Sequence, residues 1–407
     1  MRAFIAATEF PGHAFPEFAL AKAMRERGHE VLVSTSERWR EAVRGFGADV
    51  LTIEEVGGVT HHGTFGSELV DAAQRLRVAI ESFAPQVVVS DMASAAPPLA
   101  GELAGLPVAT VVALVFPVEQ PGMPPYSHGL RPPRTVAGAT AWRAFERPAR
   151  SLRPRTKHLR TVARELDAVR FQLGLPTRAL PRELLTSYGS ISEQLTLVAT
   201  FPQLEYPRRW PAHVHVTGPM LFEPPARAVE PPSGDAPLVL IAGSTAQDPE
   251  LELLRVAIAA LEHEPVRVLA TTSGHGADLI GDVPDNARVV EWLSLDRSLG
   301  ETSVVITRGG HGIVTRALAG GVPLLVCPAS GDMPENGARL AWAGAGLMVP
   351  RQLLGKTAVR VATRRLIADR RFRHRACAFA EWSRRNDGAE RGAELVEALV
   401  GERMRAK

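Results

Sequence analysis

The sequence has little cysteine and no long apolar run. Its 407 residues include two cysteines, Cys327 and Cys377, which excludes a disulfide framework as the organising force and suits a reducing compartment. The most apolar stretch, residues 106–118, contains two prolines and is too short to span a bilayer. Residues 1–9 show no secretory signal pattern. We therefore expect a cytoplasmic protein without a membrane partner.

Lysine and excess charge are also scarce. The 47 basic and 44 acidic residues give a net charge of +3, and nearly all the basic residues are arginine. This balance does not require an acidic macromolecule as a partner, so we expect no nucleic acid ligand. Hydrophobic residues make up 45% of the chain and charged residues 22%, which is typical of a globular protein. The length is sufficient for two domains of ordinary size.

The order of apolar segments predicts an α/β fold. Residues 2–7 and 31–34 have the pattern of buried strands, and residues 16–27 between them have that of a helix. Similar alternation returns after a proline-rich segment, so we predict two doubly wound, Rossmann-like sheets. No G-x-G-x-x-G motif follows the first strand, which argues against a nicotinamide or flavin dinucleotide site.

Composition also predicts the domain boundaries. Proline and then arginine are frequent between residues 116 and 203, which indicates solvated amphipathic helices or a wall of an acceptor pocket. The divisions that we predict are an N-terminal domain over residues 1–221, a linker over 222–237, a C-terminal domain over 238–380 and a terminal helix over 381–407.

A glycine-rich turn in the second half has the composition of a phosphate site. Residues 304–307 form a predicted strand, Arg308 to Gly312 form the turn, and an apolar helix follows at once. Glycines allow close approach of a ligand to the backbone, and a helix N-terminus offers unpaired N–H groups. Arg308 adds a guanidinium that can chelate phosphate oxygens. The alternative is an ordinary βαβ turn that needs its glycines for packing alone.

Two other loops in the second half carry polar side chains. Asp332 and Asn336 lie at a predicted helix start, where they can bind a polyhydroxylated ligand. Gly243, Ser244 and Thr245 follow the first strand of the second domain, and their N–H and hydroxyl groups can hold diphosphate oxygens. A plain strand-to-helix turn is the alternative for this second loop.

His13 and Asp91 are the candidates for acid–base chemistry. His13 lies between the first strand and the first helix, in the pattern Gly12-His13-x-x-Pro16. A helix N-terminus disfavours imidazolium, so we expect a neutral imidazole that is ready to accept a proton. Asp91 follows a predicted strand at the sheet edge where ligands bind, and its carboxylate can orient the imidazole. The alternatives are an exposed loop histidine and an Asx-type helix cap.

The stretch from residue 304 to 350 resembles the nucleotide-sugar signature of GT-B glycosyltransferases, a family that includes plant UDP-sugar enzymes and bacterial natural-product glycosyltransferases. That signature is a His-Gly-Gly-x-Gly-Thr turn, then Ala-Leu-x-x-Gly-Val-Pro, then Pro-x-x-x-Asp-Gln-x-x-Asn-Ala. The matching residues are Gly309, Gly310, Gly312, Ala317, Leu318, Gly321, Val322, Pro323, Pro328, Asp332 and Asn336. Three positions depart from it: Arg308 replaces His, Ile313 replaces Thr, and Met333 replaces Gln.

The resemblance implies two domains that face each other across a cleft, with the terminal helix crossing back to the first domain. It implies that His13 is the catalytic base, that Asp91 activates it, and that Trp292 stacks on a uracil or thymine ring. The acceptor would lie in the first domain against Phe116, Met123 and Tyr126. The implied donor-binding residues are Gly243, Ser244, Thr245, Trp292, Arg308, Gly309, Gly310, His311, Gly312, Asp332, Met333 and Asn336.

The reaction implied is inverting transfer of a sugar from a TDP- or UDP-sugar to a hydroxyl of an apolar natural product. We expect no metal and no further cofactor, since helix N-termini can stabilise the leaving diphosphate and no Asp-x-Asp motif is present. Arg308 is expected to compensate for the hydroxyl lost at Ile313. Met333 cannot hydrogen-bond a sugar hydroxyl, which favours a deoxysugar. The alternatives are a non-catalytic binding or helper protein and a lipid-linked transferase or epimerase, and a homodimer stays open.

Overall fold

The computed structural model describes residues 1–56, 66–151, 154–177, 184–186, 189–226, 228–244 and 247–405. Two sheets form the centres of two domains, and every strand pair named in either sheet is parallel. Both faces of each sheet are covered by packed side chains, which is how parallel sheets bury their backbone. The fold is therefore the α/β architecture that the sequence pattern predicted.

The sheet of the first domain has the strand order β3-β2-β1-β4-β5-β6-β7 among the described residues. Its strands are β1 (Arg2–Ala6), β2 (Glu30–Thr35), β3 (Asp49–Thr52), β4 (Val87–Asp91), β5 (Val108–Val112), β6 (Leu195–Val198) and β7 (Val214–Val216). Its helices are α1 (Pro11–Glu26), α2 (Arg40–Arg44), α3 (Ser67–Phe83), α4 (Ala96–Leu103), α5 (Val136–Ser151) and α6 (Pro154–Gln172).

The sheet of the second domain has the order β10-β9-β8-β11-β12-β13. Its strands are β8 (Leu238–Ala242), β9 (Arg267–Thr271), β10 (Ala287–Val290), β11 (Thr302–Thr307), β12 (Leu324–Val326) and β13 (Gly346–Met348). The helices that follow β8 are α7 (Glu252–Leu261), α8 (Leu295–Leu299), α9 (His311–Ala319), α10 (Met333–Ala343), α11 (Lys356–Ala368), α12 (Arg370–Arg385) and α13 (Gly388–Arg405).

The terminal helices join the two domains. α12 packs on α9 of the second domain, whereas α13 packs on α1 of the first. Ala389, Ala393, Val396 and Val400 of α13 belong to the apolar core of the first sheet. The chain thus crosses back after Arg385. No helix among the described residues is both long and apolar enough to cross a bilayer.

Helix α1 begins earlier than the sequence pattern predicted. We expected a loop over residues 8–13 and a helix from Pro16, but the helix begins at Pro11. Proline suits the first turn of a helix because its missing N–H has no partner there in any case. The earlier start was overlooked because Pro16 was taken as the helix start, and it places His13 inside the first turn of α1.

The two sheets have the same kind of switch point, where the strand order reverses. In the first domain it lies between β1 and β4, and in the second between β8 and β11. Ligands of open α/β sheets bind outside the carboxyl ends of the strands at such points. His13 follows β1 and Asp91 ends β4, while Gly243 follows β8 and Arg308 follows β11. The topology therefore brings the candidate residues of both halves to facing sheet edges.

Candidate active site

A cavity of about 690 Å³ lies between the two domains, a size typical of sites for small ligands. Both domains and the segment that joins them contribute to its wall. The lining residues include Pro11, Gly12, Phe15, Pro16 and Trp39 from the first domain, Met220 to Ala226 from the joining segment, and Gly243, Ser244, Trp292, Arg308, Gly310, His311, Gly312, Ile313 and Met333 from the second.

His13 and Asp91 are paired next to this cavity: Gly12, the residue before His13, lines it, whereas the two paired side chains are not part of its lining. His13 Nδ1 lies 2.9 Å from Asp91 Oδ2, and the carboxylate is fully buried. Asp91 Oδ1 accepts a hydrogen bond of 2.6 Å from the Ala93 N–H. The Asp91 carboxylate thus accepts from a nearby backbone N–H and also contacts the imidazole. The sequence analysis had given these two roles of Asp91 as alternatives. Because Nδ1 faces Asp91, Nε2 is the nitrogen on the opposite side of the ring.

The electrostatics of His13 differ from the expectation based on the helix N-terminus. Burial by itself lowers the pKa of His13, but the charge and hydrogen bond of Asp91, with the charge of Asp332, outweigh it. The net result is a pKa above the ordinary value of 6.5. We had expected the helix N-terminus to dominate the pKa of His13, and this was wrong because Asp91 and Asp332 have the larger effect. The carboxylates stabilise the protonated form, so His13 is a stronger base than a free imidazole.

The glycines of the turn after β11 fall into two groups. Gly309 has φ +92°, and a Cβ there would lie 2.5 Å from Val326 Cγ1, so this glycine is required by the turn itself. Gly310 and Gly312 would place a Cβ within 4 Å of no atom, and both line the cavity. These two glycines are thus not explained by packing. They leave open space in front of the α9 N-terminus, where backbone N–H groups can bind an anion.

Arg308 is paired with acidic side chains of its own domain. Its Nε donates to Asp248 Oδ2 at 3.0 Å and its Nη2 to Asp248 Oδ1 at 2.9 Å. Nη2 also donates to Glu252 Oε2 at 2.9 Å. Asp248 in turn accepts from backbone N–H groups at the start of α7. The Arg308 side chain is only 3% exposed and is paired with two carboxylates, and Arg308 also lines the cavity. Compensation for Ile313 by a direct phosphate contact stays a prediction.

His311 and Asn336 hold the donor-side loops in place. His311 Nε2 donates to the Ala199 carbonyl of the first domain at 3.1 Å, and burial lowers the pKa of His311. The Asn336 amide donates to the Gly309 carbonyl at 2.9 Å and to Asp332 Oδ2 at 2.8 Å. Asn336 therefore ties the glycine turn to the Asp332 loop, and His311 ties the second domain to the first.

Trp292 is not a core residue. It is 54% exposed, it lines the cavity, and its ring lies against Gly274. An indole face that is open to a cavity can stack on a planar ring. Gly243, Ser244 and the buried Met333 also line the cavity, whereas Thr245 lies outside the described residues.

The three residues expected to contact an acceptor do not line the large cavity. Phe116, Met123 and Tyr126 are all buried and border a separate space of only about 10 Å³. The reason is a buried ionic cluster, formed by Glu205, Arg208, Glu335 and Arg339, which closes this region between the domains. Phe116, Met123 and Tyr126 therefore lie in a packed part of the domain interface, and their contact with an acceptor stays a prediction.

Sequence reasoning also missed residues that the structure places near the site. Glu17 is fully buried one helical turn after His13, and an acidic residue beside the apolar run 18–21 was the available signal. Glu223 accepts hydrogen bonds from Ser294 Oγ at 2.7 Å and the Leu295 N–H at 2.8 Å, and so fixes the joining segment. No three His, Cys, Asp or Glu side chains in the described part of the chain converge as a metal site.

Known proteins are similar to this chain over most of its length. Residues 252–399 match the family model described as "Erythromycin biosynthesis protein CIII-like, C-terminal domain". The chain is 30% identical to 4'-demethylrebeccamycin synthase of Lentzea aerocolonigenes, an alignment that covers 98% of this chain and 99% of that protein.

Solved structures show the same fold at lower identity. Spinosyn forosaminyltransferase SpnP is 21% identical, with a TM-score of 0.72 and coverage of 98% of this chain and 99% of that one. Glycosyltransferase VinC in complex with DTDP is also 21% identical, with a TM-score of 0.68 and coverage of 99% and 100%. Both similarities extend over the two domains and the cleft between them.

Proposed function

The chain belongs to the GT-B glycosyltransferases of antibiotic and other natural-product pathways, and from this premise we propose that it transfers a deoxysugar from a TDP- or UDP-sugar to a hydroxyl of an apolar acceptor. The transfer inverts the anomeric configuration and needs no metal ion. The observation that carries the proposal is the His13–Asp91 pair, whose neighbour Gly12 lines a cavity that is also lined by the open glycines of the α9 N-terminus.

His13 acts as the general base. Its Nδ1–H donates to Asp91, so Nε2 carries the lone pair that accepts the proton of the acceptor hydroxyl. The acceptor oxygen then forms a bond to the anomeric carbon as the bond from that carbon to the diphosphate oxygen breaks. Asp91 stabilises the imidazolium that results. Attack from the face opposite the diphosphate inverts the configuration.

The leaving diphosphate is stabilised from the opposite wall. N–H groups of the Gly310–Gly312 turn and the α9 N-terminus bind the developing negative charge. Trp292 stacks on the nucleoside base, and Ser244 lies on the diphosphate side of the cavity. This support from fixed backbone dipoles is the reason for proposing a reaction independent of metal. In support, the similar structure of VinC is a complex with DTDP.

Replacement of Gly312 by alanine should weaken TDP binding without loss of stability. Gly312 is a helical residue of α9 with open space around its Cβ position, so alanine there should keep or raise the melting temperature. A methyl group in the path of the diphosphate should raise the Kd for TDP by about tenfold or more, equivalent to about 1.4 kcal/mol. Isothermal titration calorimetry with TDP measures the change.

Gly300→Ala is the matched control for this variant. Gly300 has helical backbone angles, is exposed and lies outside the cavity, so its substitution should leave the Kd for TDP unchanged. Equal TDP affinity of the wild type and Gly312→Ala would contradict a diphosphate site at the α9 N-terminus.

The identity of the sugar is tested by competition between donors. Met333 is buried in the cavity wall, and its thioether cannot donate to a sugar hydroxyl. TDP-deoxyhexoses should therefore have kcat/KM values roughly 10–100-fold above that of TDP-glucose, the range expected when one hydroxyl loses its partner. The mass of the product identifies the sugar that was transferred, and its anomeric coupling constant gives the configuration. Paired assays with and without EDTA test the need for a metal ion.

Met333→Gln supplies the control for donor choice. The restored amide should bring TDP-glucose closer to the deoxysugar donors in kcat/KM. A wild-type preference for TDP-glucose, or the same ratio in both proteins, would refute the deoxysugar assignment. Retention of the anomeric configuration would refute the inverting mechanism, and loss of activity with EDTA would refute the independence from metal.

A further inference from the structure

Glu17 is a buried acidic residue that the proposed mechanism does not use. It lies on α1, four residues after His13, and has no exposed surface. Residues four apart on a helix lie on the same face. Asp91 is equally buried and is turned towards α1 by its contact with His13. Glu17, His13 and Asp91 thus form a compact group of three titratable side chains beneath the cavity.

The carboxyl group of Glu17 lacks the partners that an ionised carboxylate needs. Neither of its oxygens has a hydrogen-bond donor of ordinary geometry among the described residues. An unpaired carboxylate in such a position carries a large desolvation cost, and the usual outcome is neutralisation by a proton. In agreement, burial and the adjacent Asp91 charge raise the pKa of Glu17 well above its ordinary value.

A protonated Glu17 has one O–H to donate, and Asp91 is the neighbouring acceptor. Helix α1 packs against β4, the strand that ends at Asp91, and the Asp91 charge is a cause of the raised pKa of Glu17. The other charged groups of α1 have their own contacts: Lys22 pairs with Glu26, and Arg25 Nη1 donates to the His29 carbonyl. Directly after α1, Arg27 and His29 pair with Glu390 and Glu397 of α13. Asp332 acts on His13 from the second domain.

We propose that Glu17 is held as a neutral acid that donates to the Asp91 carboxylate, and that it thereby positions Asp91 against His13 and limits the basicity of the imidazole. Glu17 is a positioning residue, since it acts on the acceptor hydroxyl only through Asp91 and His13. The inference rests on the proposed role of His13 as base. It adds a third member to the His13–Asp91 pair and fixes the protonation state of that member.

The direction of the effect follows from the charges. The O–H group of Glu17 partly stabilises the negative charge of Asp91. Without this donor, Asp91 stabilises the imidazolium more strongly, and the pKa of His13 therefore rises further. A higher pKa leaves less neutral imidazole at pH 7, so the acid limb of kcat/KM moves to higher pH.

The test is an NMR titration of His13 in wild type, Glu17→Gln and Glu17→Leu, with selectively labelled histidine and His13→Asn to assign the signal. Glu17→Leu should raise the pKa of His13 by about half a unit or more, equivalent to about a threefold change in proton affinity. Glu17→Gln keeps an N–H donor and should stay close to the wild type. The acid limb of kcat/KM should shift in the same order.

Ser34→Ala is the matched control. Ser34 is also a buried polar residue without a hydrogen-bond partner among the described residues. It pairs in register with Ala6, which packs in the core on the other face of the first sheet. Its substitution should therefore leave the titration of His13 unchanged. An unchanged His13 pKa in Glu17→Leu, or an equal shift in Glu17→Gln and Glu17→Leu, would overturn the proposal.

A second measurement does not depend on the folding of Glu17→Leu. The infrared spectrum of the wild type at neutral pH should contain the carbonyl stretch of a protonated carboxylic acid, and Glu17→Gln should lack it. Absence of this difference band would also overturn the proposal. Neither the NMR titration nor the infrared measurement requires substrate. Failure of sugar transfer would therefore refute the proposed function without changing the conclusion on the protonation state of Glu17.

Discussion

His13→Ala should lower kcat for sugar transfer by about 10²–10⁴-fold, the usual contribution of a general base. The variant removes the nitrogen that accepts the acceptor proton and leaves Asp91 without its imidazole partner. The Kd for TDP should change little, because the proposed diphosphate contacts lie on the opposite wall of the cavity. Steady-state assays at saturating donor and calorimetry with TDP separate the two effects.

Two further substitutions sharpen this test. Asp91→Asn should also reduce kcat, since an amide cannot stabilise the imidazolium as a carboxylate does. His263→Ala should have wild-type kinetics, because the His263 side chain is 89% exposed. Unchanged transfer in His13→Ala would remove His13 from the mechanism, and a parallel loss of TDP affinity would indicate a structural role instead.

Arg339→Met should lower the free energy of unfolding by about 3–5 kcal/mol, the cost typical of removing one partner of a buried ion pair. Arg339 Nη1 donates to Glu205 Oε2 of the first domain at 2.7 Å, and its Nε donates to Glu335 Oε1 at 2.8 Å. The guanidinium also lies 4.4 Å from the centre of the Tyr206 ring. Methionine fills similar space but leaves the buried Glu335 without its cation and Glu205 with Arg208 alone.

Urea unfolding of Arg339→Met and Arg364→Met provides the comparison. Arg364 also pairs with a carboxylate, Glu264, but its side chain is 66% exposed, so its loss should change the free energy of unfolding much less. Combining Arg339→Met with Glu205→Gln and Glu335→Gln should recover part of the lost stability, because neutral amides are less costly to bury. An equal loss of unfolding free energy in Arg339→Met and Arg364→Met would contradict the conclusion that the buried ionic cluster stabilises the fold.

The position of the cluster connects stability with the donor loop. Glu335 and Arg339 belong to α10, which begins at Met333 directly after Asp332. Glu205 also accepts a hydrogen bond of 2.6 Å from the Phe116 N–H of the first domain. The contacts of Arg339 with Glu205 therefore fix α10 against the first domain.

The sequence by itself determined the two parallel sheets, the glycine turn and the convergence of His13 and Asp91. These features depend on local patterns: continuous apolar strands, alternation with helices, and polar residues at strand ends that must meet at one sheet edge. Even there the start of α1 was misplaced, because Pro16 was taken as its first turn and Pro11 was overlooked.

Only the tertiary structure decided which partner each charged or aromatic side chain has. Arg308 is bound by Asp248, sixty residues away, and Arg339 by Glu205, 134 residues away. Glu17 looks like any helical glutamate until Asp91 is placed beside it. Such contacts arise where residues distant in the sequence pack together. No periodicity along the chain predicts them. Local patterns therefore determine the fold and the edge where the site lies, whereas long-range packing decides the charge state and contacts of each group in it.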